Sequence, residues 1–223
     1  GSGELLWKRR TDWSVFAVAV DPNQDFIVAG TRGGGIYAFN RKGELVWDYW
    51  TDTWIQAVAV SPDGKYTAAG DRWGRLYLFN RKGELLWSRK TDGDIRSVAL
   101  NSDRYVFTGN ANYKIYIFDR SGEVLARCDT PWAIKCIATS SDSTYIAVGS
   151  LGVLNPGNVE FVGPYKVHLL NARAIVSSIK RRKEEKLAEI RRIIELGRRN
   201  LRKNPVRAIG YFDRALKINP EYA

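Results

Sequence analysis

A five-residue string returns along the chain at nearly constant spacing. GELLW starts at Gly3, GELVW at Gly43, GELLW at Gly83 and GEVLA at Gly122, at intervals of 40, 40 and 39 residues. Each return is followed by the same succession of patterns. An alternating apolar run comes first: VFAVAV, IQAVAV, IRSVAL and IKCIAT. A polar turn follows: DPNQ, SPDG, NSD and SSDS. A second apolar run then ends in glycine (FIVAG, YTAAG, YVFTG, YIAVG), and a third closes the unit (IYAFN, LYLFN, IYIFD, VHLLN). The shorter third interval reflects one residue lost in a turn, where SPDGKY becomes NSDRY.

Short runs with period-two alternation, bounded by turn residues, are strands. Four strands in every ~40 residues is the period of a propeller blade. The turns fit this reading. Asn40-Arg41-Lys42-Gly43 and Asn80-Arg81-Lys82-Gly83 put glycine where a hairpin requires positive φ. In Ser61-Pro62-Asp63-Gly64 the proline fixes φ at the second position. Aromatic residues make up 12% of the chain, a content that suits strands. The expected fold is mainly β: a propeller of four ~40-residue, four-stranded blades over residues 3–171, followed by a small helical extension over 172–223.

On these strings the units resemble WD-like and quinoprotein-type propeller repeats of archaeal and bacterial proteins. Ala38 to Trp47, AFNRKGELVW, is similar to the quinoprotein pattern of Ala, Asp, Gly and Trp. Its turn is one residue shorter and Asn stands for Asp. The Gly-His and Trp-Asp signatures of true WD repeats are absent, so the resemblance implies the fold and carries over neither family's activity. The chain opens with a fourth-strand string, GELLWKRR, and its fourth unit stops after the third strand. The N-terminal strand is therefore expected to complete the last blade. Four blades are few for a ring, and two chains pairing into eight is the other solution. An insertion between Gly149 and Val167, covering residues 151–165, is expected to be a loop.

From Ala172 the period becomes helical, with Leu187, Ile190, Ile194, Gly197 and Leu201 on one face. Asn204-Pro205 breaks the helix, and a second helix is expected from about Pro205 to Ile218. There Ala208, Phe212, Ala215, Leu216 and Pro220 resemble the second helix of a tetratricopeptide repeat. One such repeat does not bury its apolar face alone, so Leu187, Ile190, Ile194, Phe212 and Leu216 are expected to need cover from elsewhere.

Charge changes at the same boundary. Residues 1–170 hold 20 Lys/Arg against 18 Asp/Glu, a net of +2, and residues 171–223 hold 15 against 6, a net of +9. Lys180, Arg181, Arg182, Lys183, Arg191, Arg192, Arg198, Arg199, Arg202 and Lys203 could track phosphates, weakly and with strong salt dependence. The interleaved Glu184, Glu185, Glu189 and Glu195 point instead to a solvated helix.

Catalytic chemistry finds few residues. His168 is the only histidine and holds the slot of Tyr37, Tyr77 and Tyr116. Neither a metal site of the common N/S type nor a phosphate-cradling loop can be assembled. Gly33-Gly34-Gly35 reads as a hairpin. Asp12, Asp52 and Asp92 follow Thr at one place in three blades, and Asp129-Thr130 reverses the order in the fourth; a ring of carboxylates could hold a cation, but each Asp or Thr is expected to satisfy loop backbone N–H groups. No enzyme activity, cofactor or metal is expected. Cys128 and Cys136 read as reduced core residues, which suits a cytoplasmic protein. No segment reads as a membrane span or a leader, and Gly1-Ser2 reads as an expression remnant.

Trp7, Trp47 and Trp87 share one repeat slot and are expected to pack between blades. Trp13, Trp54 and Trp132 lie instead in the connections between blades, and Trp73 in a hairpin on the same face. Arg32, Arg72 and Tyr113 join them. Trp, Tyr and Arg gathered on one surface are the residues enriched at binding hot spots. The expected function is a non-enzymatic scaffold gripping a protein or peptide on this face, with self-association; the alternative is nucleic-acid binding through the tail.

Overall fold

A computed structural model describes the chain except residues 1–2, 24, 102–104, 132, 141–143, 152, 155–160, 163–165 and 219–223. The first three units each form a four-stranded antiparallel meander. These are β1–β4 (Val15–Val20, Phe26–Thr31, Gly35–Asn40, Leu45–Trp50), β5–β8 (Ile55–Val60, Tyr66–Asp71, Arg75–Asn80, Leu85–Lys90) and β9–β12 (Ile95–Leu100, Tyr105–Asn110, Lys114–Asp119, Val124–Asp129). The fourth sheet has three strands: β13 (Ala133–Thr139), β14 (Tyr145–Leu151) and β17 (Lys166–Asn171). Within the insertion, β15 (Val153–Leu154) pairs with β16 (Phe161–Val162).

Side-chain oxygens at fixed repeat positions hold the turns. In the first turn Asp21, Ser61, Asn101 and Ser140 accept the N–H of Phe26, Tyr66, Tyr105 and Tyr145, at 3.1, 2.9, 2.9 and 3.0 Å. In the last, Asn40, Asn80 and Asp119 each accept the N–H two and four residues on, at 2.9–3.1 Å. The glycine three residues after each has positive φ, 77° at Gly43. Asn171 occupies this slot in the fourth unit, but no glycine follows at 174, and helix starts at Ala172 in place of a fourth strand.

The core lies between blades. Phe26, Val28, Ile36 and Ala38 of the first blade pack with Ile55, Val58 and Phe79 of the second. Leu76, Leu78 and Ala57 pack in the same way with Ile95, Val98 and Phe118. Three tryptophans fasten each unit to the next, as their shared slot predicts. The Nε1 of Trp7, Trp47 and Trp87 donates to the carbonyls of Arg41, Arg81 and Arg120, at 3.0, 3.1 and 2.7 Å.

The ring does not close. β1 packs on β5, β5 on β9 and β9 on β13. Val15 and Val18 are 45% and 70% exposed, whereas their equivalents Ile55 and Val58 are 0% and 8% exposed. At the other end Val167 and Leu169 of β17 are 83% and 68% exposed. Residues 3–10 were expected to complete the fourth blade, but they form no strand with it. Trp7 docks on the first blade instead, as Trp47 and Trp87 dock on theirs. Cys136 also departs from expectation, because it is exposed. Its equivalent Ala57 is covered by the following blade, and no fifth blade follows the fourth.

The chain divides into compact units at Gly1–Arg173 and Ala174–Ala223. In the second, α1 (Ala172–Asn200) meets α2 (Pro205–Ile218). Asn204 caps α2 by accepting the Arg207 N–H at 3.0 Å, with Pro205 at the first helical position, where a missing N–H costs nothing. Ile190, Ile193 and Ala215 form a buried cluster with Ile194 and Tyr211 against it. The close approach needs Gly197, since a Cβ there would stand 2.7 Å from the Phe212 ring. The expectation that Ile190 and Ile194 lack cover is thus corrected: the two helices supply it to each other. Leu201, placed on the apolar face by spacing, lies past the helix end and is exposed. No helix among the described residues is long and apolar enough to cross a membrane.

Candidate functional site

The innermost strand of every blade carries a bulge at the same position. The register shifts between Val15 and Ala17, Ile55 and Ala57, Ile95 and Ser97, and Ile134 and Cys136. The extra residue is Phe16, Gln56, Arg96 or Lys135. A bulge re-aims the side chain that it carries, and all four side chains line one pocket of about 400 Å³ with Trp54 and Arg72. The residues on either side of the bulge stay Val or Ile before it and small after it, and Ile55, Ala57, Ile95 and Ile134 among them are buried. Within these first-strand runs the bulged residue is the one that changes most in chemistry from blade to blade.

Trp54 is half-buried at the rim. The Arg32 guanidinium lies 4.7 Å and that of Arg72 4.2 Å from its ring centroid, and Phe16 meets it edge-on at 5.8 Å. Hairpins hold both arginines in place: the Arg32 and Arg72 N–H groups donate to the carbonyls of Ser14 and Trp54, each at 2.9 Å. A guanidinium over an indole is attracted by the ring quadrupole, so the sequence-distant Arg32, Trp54 and Arg72 form one unit. Arg96 pairs with Asp94 at 3.2 Å.

The other expected residues lie around this unit. Trp13 stands against Gly33, where a Cβ would come within 2.0 Å of the indole, and is 58% exposed. Trp73 is 60% exposed in its hairpin, where its carbonyl accepts from Lys90. Tyr113 takes the hairpin slot of Gly34 and Gly74, with φ of 66°. Its carbonyl accepts the Thr130 N–H at 2.7 Å, as the carbonyls of Gly34 and Gly74 accept from Thr51 and Thr91. A bulky residue held in left-handed backbone costs roughly 1–3 kcal/mol, a strain that clusters at functional sites. Trp132 lies outside the described residues. Sequence reasoning missed Phe16, Gln56, Arg96 and Lys135; their one trace is the second slot of VFAVAV, IQAVAV, IRSVAL and IKCIAT, which changes most in chemistry within those runs.

The recurrent carboxylates serve their own blades. Asp12 accepts from the Tyr37 hydroxyl at 3.2 Å, and burial followed by this bond pushes the phenol pKa up. Asp92 pairs with Lys114 at 2.9 Å and Arg127 at 3.6 Å, and the Lys114 bond holds its carboxyl below the ordinary range. Among the described residues no cluster of His, Cys, Asp and Glu could hold a metal ion.

In the tail, Arg181 pairs with Glu185, Arg199 with Glu195 and Arg214 with Glu189, at 3.7, 3.2 and 3.4 Å. Arg182, Arg191, Arg192, Arg198, Arg202 and Lys203 are exposed. The side chains of Lys180 and Lys183 lie outside the described residues.

No family model matches the sequence, and no curated protein matches it. Solved structures do. A crystal structure of RRP9 WD40 repeats superposes with a TM-score of 0.58 at 13% identity, over 64% of this chain and 47% of that one. The chain thus spans about half the length of the WD40 chain that it matches. At that identity the likeness shows the fold, and the fold is that of a WD40-like propeller: antiparallel blades, here in an open arc of four.

Proposed function

We propose that this chain is a non-enzymatic scaffold that binds a protein or peptide on the face carrying Trp54. The observation that carries this reading is the Arg32–Trp54–Arg72 unit at the rim of a pocket to which all four blades contribute. A WD40-like propeller is a common scaffold for protein interactions, but fold alone does not give function; the site does. Trp and Arg at a pocket rim supply apolar area and directed hydrogen bonds together. Quantitative capture from cell extract tests the reading. Trp54→Ala should reduce the partner retained by at least about tenfold, the loss of a single hot spot, while the melting temperature stays near the parent's. Undiminished capture would refute it.

Self-association is a second reading, favoured by the uncovered flank of β1 and the exposed Val167 and Leu169 of β17. A second copy offers both surfaces their missing neighbours: its fourth blade against Val15 and Val18, its N-terminal segment beside Val167 and Leu169. Closed two-fold assembly is the commonest solution for such pairs.

A further inference from the structure

The four bulges bring to one place side chains that no single blade supplies, and their chemistry is lopsided. Arg96, Lys135 and Arg72 line the pocket, and the Arg32 guanidinium lies 4.7 Å from the Trp54 ring centroid. Among the described residues the carboxylate paired with these cations is Asp94, on Arg96. Asp12 and Asp92 of the neighbouring loops are engaged with Tyr37 and Lys114 on the third strands, β3 and β11. Residues 1–170 hold 20 cations against 18 anions; without these four cations and Asp94 the rest of the propeller holds 16 against 17, a net of −1. The excess of positive charge is therefore local to the mouth.

We infer that this mouth binds an acidic peptide segment, with Asp or Glu side chains on Arg72, Arg96 and Lys135 and an adjoining apolar side chain on Phe16. The inference rests on the binding face proposed above and names its ligand class. Two observations favour a peptide over a nucleic acid. The cations converge on one pocket of about 400 Å³, whereas a phosphodiester chain is followed by a track of cations. The Trp54 ring, among the described residues the one indole lining the pocket, is already taken by two guanidiniums and is not free to stack a base. Phe16, 47% exposed beside the cations, suits an apolar residue between acidic ones. The fixed packing positions beside each bulge leave the bulged residue free to set specificity.

Fluorescence anisotropy of the full chain, at low ionic strength, tests this with three labelled probes: a peptide of alternating Asp-Glu pairs and Leu, its Asn-Gln counterpart, and decauridylate. The acidic peptide should bind at least about tenfold more tightly than the counterpart, and the Arg96→Glu/Lys135→Glu variant should lose at least about tenfold of that affinity, as expected for two exposed charge pairs reversed. The tail is also basic, so Arg198→Glu/Arg202→Glu is the necessary control and should leave the affinity unchanged. Loss in the tail variant with retention in the mouth variant would overturn the inference. Tighter binding of decauridylate, lost in the mouth variant, would overturn it too and make the mouth a nucleic-acid site. Partner capture separates the two levels of the argument: loss with Trp54→Ala but not with the mouth variant sinks the acidic ligand and leaves the binding face standing, whereas retention with Trp54→Ala sinks the face.

Discussion

Asp119 does in the third blade what Asn40 and Asn80 do in the first two, and the difference is one titratable group. Its carboxylate accepts the N–H of Ser121 and Glu123, each at 2.9 Å, and the Ser121 hydroxyl at 2.7 Å. Partial burial works against the charged form, but the Ser121 hydroxyl and the surrounding N–H groups outweigh it and hold the pKa below its ordinary value. A carboxyl depressed in the folded state contributes stability that is fully present above its unfolded pKa, about 3.9. That contribution is lost as pH falls through the lower, folded value. Asp119→Asn should therefore melt close to the parent at pH 7, since asparagine already holds two of these turns. It should lose less stability than the parent on acidification below about pH 4. Thermal melts of both proteins at neutral and acid pH make the comparison; an equal acid loss would show that the turn draws nothing from the charge.

At the scale of the element, the blade was legible because its turn and packing slots recur with their chemistry intact. Gly43, Gly83 and Gly122 could be read as turn residues, and Trp7, Trp47 and Trp87 as packing residues. That each Trp stands on the glycine of the next unit's turn follows only from the fold. The bulges were not legible, because a bulge is a property of pairing register and leaves no residue type behind. The glycine ending each second strand was read as a boundary, yet its main-chain conformation is ordinary in β2, β6 and β10. It is there for room. A Cβ on Gly70 would lie 2.3 Å from the Ile95 Cγ2 of the next blade, and Gly30 and Gly109 admit Ile55 and Ile134 at 2.4 Å each. Gly70→Ala should destabilise the propeller by about 1–3 kcal/mol through overpacking, read as a lower urea midpoint. An unchanged midpoint would mean that the blades can part without cost. In the tail the helical period was equally plain, but spacing alone could not place Leu201 beyond the helix end or show that the pair covers Ile190 for itself.

For the whole molecule, closure is the property that the repeat left open. Each blade is placed by the packing of its neighbour, and three such steps among four blades leave β1 and β17 apart. Val18 alone is 70% exposed against 8% for Val58, and covering an apolar side chain of this kind contributes roughly 1.5–3 kcal/mol. Sedimentation at micromolar concentration should show a mass near twice 25.3 kDa, shifted toward the single chain by Val18→Glu. A constant 25.3 kDa would contradict pairing. The central claim concerns the face instead, and a photo-crosslinking residue reports on faces directly. Placed at position 73 on the mouth side, at 82 in the turn at the opposite end of the same blade, and at 202 in the tail, it should trap a partner from 73 and not from 82 or 202. Capture from 82 or 202 with none from 73 would contradict the account.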